Sequence, residues 1–454
     1  MIRLMLAAPA SGSGKTVMTC ALLKALRSRG LNPCAFKCGP DYIDPMFHRA
    51  ALGVDSRSLD LFLCGAERAR TLFERACAGH GAAVCEGVMG FYDGLGGVSD
   101  RASTWHTADA LNLPVLLVLR ARGASLTLAA QIHGLRSFRE NSRIVGVLLN
   151  ECGEALFKAL APTLERESGV PVLGCLPPME EARFESRHLG LYTAAEIDDL
   201  EPRLDALARA LEEHTDMDRL LALCECGGPV TQAPVKPARA ARVRIAVARD
   251  EAFCFTYAET LEELEAQGAE PVFFSPLRCG ALPDQIGGLY LPGGYPELYA
   301  RQLSDNGSML RAVAQAVRGG LPTVAECGGF LYLGETLRDE NGMPHRMTGV
   351  LPGEGTDAGR LVRFGYVNLY ADRDSLLFRR GERVAAHEFH HWDTTEPGDG
   401  LGVEKASGMQ SWRGGYVNET LYASFPHLYF AGRPELAARF VEAAVRYEEQ
   451  RKIM

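Results

Sequence analysis

Two stretches far apart in the chain combine residue types that can do chemistry. Residues 8–16 read APASGSGKT, placing Ser11, Gly12, Ser13 and Gly14 ahead of Lys15 and Thr16. Small residues let backbone N–H groups close on phosphate oxygens at a helix N-terminus, Lys15 adds positive charge, and Thr16 can ligate magnesium. The usual phosphate-loop pattern begins with glycine; Pro9 stands in that place, so the match is partial. The second stretch, LPTVAECGGF at 321–330, is an apolar run, then Cys327, then two glycines and a helix-like run. This order predicts a nucleophile elbow, with the thiol at a helix N-terminus where the dipole favours thiolate.

Each stretch has complements elsewhere. A magnesium-bound triphosphate needs a carboxylate beyond the loop, and the strand pattern GAAVCEG ends with Glu86 where such sheets present ligands. The segment FKCGPDYIDPMFH carries Asp41 and Asp44, able to hold metal or to steer a reacting group, although paired aspartates also serve simply to form turns. EGVMGFYDGLGG places Asp93 in a glycine-rich loop that could close over a substrate. For the thiol, LYLPGGYPE ends a strand at Gly293 and Gly294, whose N–H groups, with that of Gly328, could form an oxyanion hole. LYASFPHLYF supplies His427 as the base. A competing pattern, HEFHH at 387–391, formally matches the zinc motif H-E-x-x-H. Its flanks are rich in Val, Phe, Trp and Thr, which predicts a strand, where His387 and His391 lie too far apart for one ion.

The elements that must position these residues follow from periodicity. In the first half, apolar strands alternate with helical segments: a strand from Arg3, a helix ending at Gly30, strands at GAAVCEG, LPVLLVL, RIVGVLLN and GVPVLGCLPP, and a helix at LEPRLDALARALEEH. That alternation predicts a doubly wound parallel sheet. Residues 224–242, rich in Gly, Pro, Ala and basic side chains, read as a linker between a domain at 1–223 and one at 243–454. Beyond it RIAVARD, TLEELEAQGAE, PVFFSPL and GGLYLPGG begin a second sheet-and-helix unit. The expected class is therefore α/β, with two doubly wound domains.

Composition sets limits. At 454 residues the chain exceeds one hydrophobic core, and 47% hydrophobic with 23% charged residues is globular usage. A net charge of -9 argues against nucleic acid as partner. Thirteen scattered cysteines without a C-x-x-C pair read as reduced thiols of a cytoplasmic protein. No apolar run approaches the roughly 18 residues of a membrane helix.

With these residues placed, the chain resembles the cobyrinate a,c-diamide synthase family, which includes hydrogenobyrinate synthases and a nickel-sirohydrochlorin relative. The resemblance runs nearly end to end, through SGSGKT, KCGPDYIDPMFH, EGVMGFYDG, SRHLGL, VARDEAF, LYLPGGYPEL, AECGGFLYL and HEFHH. The first half is similar to dethiobiotin synthetase and the second to class I glutamine amidotransferases. The resemblance implies ATP and magnesium as cofactors, glutamine as nitrogen donor, and a corrin polycarboxylate as substrate, with a homodimer left open. It places Asp41, Tyr42, Ile43, Asp44, Glu86 and Asp93 around magnesium, acyl phosphate and corrin. RFESRHLGL adds Arg183, Arg187 and His188 as contacts for anionic side chains, since an acidic protein must gather positive charge locally to bind a polycarboxylate. Three positions depart from the pattern, one of them Pro426 directly before His427. Class I glutaminases often carry Glu two residues after the histidine, and Tyr429 stands there; Arg120 replaces an acidic residue expected after the third strand. The alternative of a different class is a partition-type nucleotide switch, which would have no use for Cys327 with His427.

Overall fold

The computed structural model describes residues 1–182, 186–187, 190–191, 199–227 and 242–453. It divides into two compact units, Met1–Val235 and Lys236–Met454.

The first unit is built on seven strands: β1 (Ile2–Ala7), β2 (Pro33–Cys38), β3 (Ser56–Leu59), β4 (Ala82–Glu86), β5 (Val115–Arg120), β6 (Ile144–Asn150) and β7 (Val172–Leu176). They pair in the order β3-β2-β4-β1-β5-β6-β7, every pairing parallel. The central strands are apolar at almost every position because helices cover both faces; Leu4, Leu6, Val84, Leu116, Val118 and Leu148 share one buried cluster. β1 lies between β4 and β5, so the chain leaves it toward one side of the sheet and later crosses to the other. The loop after β1 opens at that switch point, at the carboxyl ends of the strands, where doubly wound sheets bind ligands. Strands β2 and β3 arise from sequence without strong alternation. Cys224 and Cys226 also bond to the start of the chain: Arg3 N–H donates to the Cys224 carbonyl and Cys226 N–H to that of Met1. A short hairpin, β8 (Ser186–Arg187) with β9 (Gly190–Leu191), completes the strands of this unit.

The second unit has two sheets. The first joins β10 (Val243–Ala248), β11 (Ala269–Phe274), β12 (Ile286–Leu291), β13 (Thr323–Glu326), β20 (Tyr416–Val417) and β21 (Leu421–Ser424) in the order β11-β10-β12-β13-β21-β20. It is parallel except for β20. The second sheet holds β14 (Thr336–Arg338), β15 (Pro344–Arg346), the long pair β16 (Glu354–Tyr370) and β17 (Arg383–Thr394), β18 (Leu401–Lys405), β19 (Ser411–Gly414) and β22 (His427–Leu428). Apart from the parallel pairing of β14 with β16, its pairings are antiparallel. Nothing in the periodicity announces this sheet as a whole, because β16 begins EGTDAGR, which alternates poorly and bulges. HEFHH lies within β17, as a strand, so His387 and His391 are about 13 Å apart along it at the usual rise per residue. Among the described residues no helix is long and apolar enough to cross a membrane.

Candidate active site

In the first unit, β1 runs into the loop and the helix Lys15–Ser28 begins directly after Gly14, whose φ of 97° puts it in the left-handed region. A Cβ there would lie 2.0 Å from Nδ2 of Asn150, which itself donates to the Ser13 carbonyl at 3.1 Å. Glycine thus serves both the turn and the close approach of Asn150, which pins the loop from the end of β6, two strands away from β1. Ser13 Oγ donates back to the Ala10 carbonyl at 2.9 Å. Ser11 and Gly12 form the open crest, where a Cβ on Gly12 would meet nothing.

Below the crest lies a buried charge cluster. Lys15 Nζ donates to the carbonyls of Ala10 (3.2 Å) and Met89 (2.6 Å). Burial, reinforced by Lys37, lowers it to about 8, against the pull of Glu86, Asp93 and Asp44. Thr16 Oγ1 donates to Glu86 Oε1 at 2.7 Å, and Lys37 Nζ reaches the same oxygen at 2.7 Å while also pairing with Asp44. Burial opposes ionisation of Glu86, yet Lys37, His48 and Thr16 hold it down to about 2. Its Oε2 accepts no hydrogen bond, and His48 Nε2 stands 3.7 Å away. Burial lowers His48 to about 4, so the imidazole is neutral beside this carboxylate. Lys37 was not singled out from sequence; its one signal is a lysine inside the otherwise uncharged, wholly buried strand PCAFKC.

Asp41 is placed differently from Asp44. Its Oδ1 accepts from the N–H groups of Ile43 (2.8 Å) and Asp44 (3.2 Å), so this carboxylate oxygen closes the turn that starts the helix Ile43–Leu52. Tyr42 is buried beside it. Asp93 Oδ2 accepts from Gly90 N–H at 2.9 Å, folding the glycine-rich loop back so that Met89 can receive Lys15. Arg120 pairs with Glu151 at 2.9 Å at the ends of β5 and β6. Arg187 lies in the β8–β9 hairpin, while Arg183 and His188 lie outside the described residues.

In the second unit Cys327 follows β13 with φ 49° and ψ −104°, ahead of the helix Gly328–Leu333. These dihedrals are sparsely populated for a side-chain-bearing residue, and the elbow is held by Cys327 N–H donating to the Ser424 carbonyl at 2.8 Å. A Cβ on Gly293 would lie 2.4 Å from Cε1 of His427, 3.3 Å from its Nε2 and 3.4 Å from the Cβ of Cys327. Gly293, His427 and Cys327 therefore converge, and a Cβ on Gly328 would lie 3.2 Å from the amide nitrogen of Gly294. The three segments of the expected glutaminase centre, after β12, after β13 and at β22, meet here.

One expectation is corrected. The thiol at this helix start is not a resting thiolate: burial, then Glu297, raise Cys327 well above the ordinary thiol range, although the Gly328 N–H opposes them. Burial, with His390 adding to it, lowers His427 to about 3. The dipole of so short a helix is outweighed by exclusion of water and by neighbouring carboxylates, so the resting pair is neutral thiol and neutral imidazole.

HEFHH supports this pair. His387 faces His427 across the β17–β22 pairing. His390 stacks on Phe425, with centroids 3.8 Å apart and planes at 4°, and its ring nitrogens meet Glu388 Oε1 (2.9 Å) and the Trp392 carbonyl (2.6 Å). The segment thus buttresses the strand that carries His427. Among the described residues no group of three or more His, Cys, Asp or Glu side chains could hold a metal ion.

Both halves match known family models. Residues 4–191 match the CobQ/CobB/MinD/ParA nucleotide binding domain, and residues 244–435 the CobB/CobQ-like glutamine amidotransferase domain. A nucleotide-binding half joined to an amidotransferase half, with an elbow cysteine and its histidine, defines a glutamine-dependent amidating ligase; a partition-type switch has no place for the second half. Cobyrinate a,c-diamide synthases of Listeria innocua (36% identity, 98% of this chain, 100% of the relative) and Salmonella typhimurium (38%, 97% and 98%) align end to end. A hydrogenobyrinate a,c-diamide synthase of Streptomyces coelicolor aligns at 38% identity over 97% of both chains. The chain belongs to the cobyrinate a,c-diamide synthase family.

Two substitutions test this geometry. Gly14→Ala is expected to weaken nucleotide binding at least tenfold by calorimetric titration, because its Cβ collides with Asn150 and its φ is unfavourable for alanine. Gly293→Ala is expected to lower the rate of glutamine hydrolysis about 100-fold in an ammonia-release assay, since its Cβ displaces the His427 ring.

Proposed function

We propose that this enzyme amidates the a and c carboxylates of cobyrinate, using ATP to activate each carboxylate and glutamine to supply nitrogen. The observation that carries this reading is the presence in one chain of two differently equipped sites. One is a phosphate loop over the Lys15, Lys37 and Glu86 cluster; the other is an elbow thiol beside a buried imidazole. In this reading residues 1–223 form the activating domain, 224–242 the linker and 243–454 the glutaminase, and the enzyme works in the cytoplasm. Thirteen scattered cysteines without a C-x-x-C pair suit a reducing compartment.

A carboxylate is a poor electrophile because its charge is delocalised. Attack of a carboxylate oxygen on the γ-phosphorus of ATP forms an acyl phosphate and releases ADP. Ammonia then adds to the acyl carbon and inorganic phosphate departs. The loop amides of Ser11 to Thr16 hold the phosphates, and Lys15 and Lys37 offset the charge that gathers on the transferring group. Thr16 and Glu86, with Asp41, are the metal candidates. Glu86 fits because it is fully buried with Oε2 unpartnered, and a cation arriving with a nucleotide needs only one or two protein carboxylates. Magnesium, when bound, supplies charge neutralisation and alignment of the phosphates. Asp41, Tyr42, Ile43, Asp44, Asp93, Arg187 and His188 would contact the corrin and the acyl phosphate.

In the second domain, His427 Nε2 takes the thiol proton as sulfur adds to the glutamine amide carbon. The amides of Gly293, Gly294 and Gly328 receive the oxyanion, and the same proton goes to the leaving ammonia. Water hydrolyses the thioester to glutamate. Neutral resting groups suit this order, since charge develops only when substrate is present.

Purified enzyme with ATP, magnesium and glutamine, offered cobyrinate, hydrogenobyrinate or nickel-sirohydrochlorin, is expected to add two amides to cobyrinate by mass spectrometry. Preference for another macrocycle would redirect the substrate assignment. In Cys327→Ala, glutamine-driven amidation is expected to fall by about 10³-fold or more while amidation from ammonium salts persists. Loss of both with nucleotide binding intact would sink the division of labour.

A further inference from the structure

We propose that Glu326, the residue immediately before the nucleophile, completes the glutaminase relay by holding Nδ1 of His427. The inference rests on the reading of Cys327 and His427 as the glutaminase pair. Tyr429, two residues after His427, is no carboxylate, and its ring packs edge-on against Tyr257 with centroids 4.9 Å apart. Glu326 supplies what that position lacks. It is 1% exposed at the end of β13, and its Oε2 stands 3.8 Å from His427 Nδ1. That separation exceeds a hydrogen bond, as is common before substrate draws a catalytic centre together.

The carboxylate is itself fixed on both oxygens. Oε1 accepts from the N–H of Leu428, the residue after His427, at 2.9 Å, and Oε2 accepts from the Tyr290 hydroxyl at 2.9 Å. The first bond ties β22 to the end of β13 within one residue of the imidazole. The second comes from β12, next to β13 in the sheet. Burial raises Glu326 to about 7, with both of these donors opposing it.

The elbow makes this placement attainable. In a regular strand the side chains of residues 326 and 327 would point to opposite faces. The dihedrals of Cys327 break that alternation, so consecutive side chains flank one imidazole: Nε2 lies on the side of Cys327 and Gly293, and Nδ1 on the side of Glu326. Glu326 is a positioning residue. It touches no reacting atom, selects the tautomer with hydrogen on Nδ1 and leaves Nε2 free to accept the thiol proton. It then faces the imidazolium present while sulfur is bonded to the substrate carbon. The proton travels from Sγ to Nε2 and on to the departing amine as the C–N bond breaks, and none of it passes to Glu326.

The test is steady-state glutamine hydrolysis by Glu326→Gln, with Cys327→Ala alongside. We expect kcat to fall about 100-fold or more in Glu326→Gln with KM for glutamine within threefold of the parent. Tyr290→Phe, which removes a hydroxyl and leaves the carboxylate, should keep kcat within about tenfold. A kcat for Glu326→Gln within threefold of the parent, or a loss confined to KM, overturns the proposal. If Cys327→Ala also hydrolyses glutamine normally, the failure belongs to the glutaminase reading instead. Nitrogen NMR of the histidine-labelled parent enzyme, with His427 assigned by its loss in His427→Asn, gives a readout independent of variant folding. The Nδ1–H tautomer is expected, and an Nε2–H tautomer overturns the proposal.

Discussion

Exclusion of water from small groups of ionisable side chains is the constraint on which both sites depend. In the first unit one ammonium, Lys37, contacts two acids, Asp44 and Glu86, in a place too dry to leave any of them alone. Removing one member of such a buried pair costs about 3–5 kcal/mol, because its partner keeps its charge without a counter-charge. The cluster is therefore both a structural tie between β2, β4 and the helix Ile43–Leu52 and a reserve of charge under the phosphate loop. In the second unit the same exclusion acts in the opposite sense, favouring the uncharged thiol and imidazole.

Both sites use the carboxyl ends of parallel strands. In each a short loop after the strand starts a helix, whose first amides have no intrahelical partner. The first unit places the loop Ser11–Thr16 there, the second a thiol on a strained elbow. Strain of about 1–3 kcal/mol at Cys327 persists only because neighbours over-determine the turn: the Ser424 carbonyl holds its N–H, and Gly328 and Gly329 leave no side chain in the way.

How much of this could be read from sequence depends on whether the signal is local. The loop Ser11–Thr16, the elbow at Cys327 and the alternation of strand and helix are local patterns, and each is found where the residues predicted it. The strand character of HEFHH was legible too, from Val, Phe and Trp around it. Lys37, Asn150 and Glu326 were not, for a shared reason. Each stands at or near the last position of a buried strand, and its meaning comes from a partner 49, 137 or 101 residues away in sequence: Glu86, Ser13 and His427. The antiparallel sheet escaped for a different reason, since glycines and arginines in β16 erase the alternation that would mark a strand. The thiolate expectation failed because a helix dipole is a weak local term, whereas desolvation is set by tertiary packing.

The burial of cysteine in this chain bears on how it could be inhibited. Cys20, Cys38, Cys85 and Cys327 are all enclosed, and burial pushes each of these thiols up; Cys34, also enclosed, is pushed up by its contact with Cys77 and then by burial. A general alkylating agent thus has no acidity among these enclosed thiols to exploit. Covalent selectivity would have to come from shape: a warhead carried in on a glutamine-like frame, deprotonating its target only through the imidazole already waiting there.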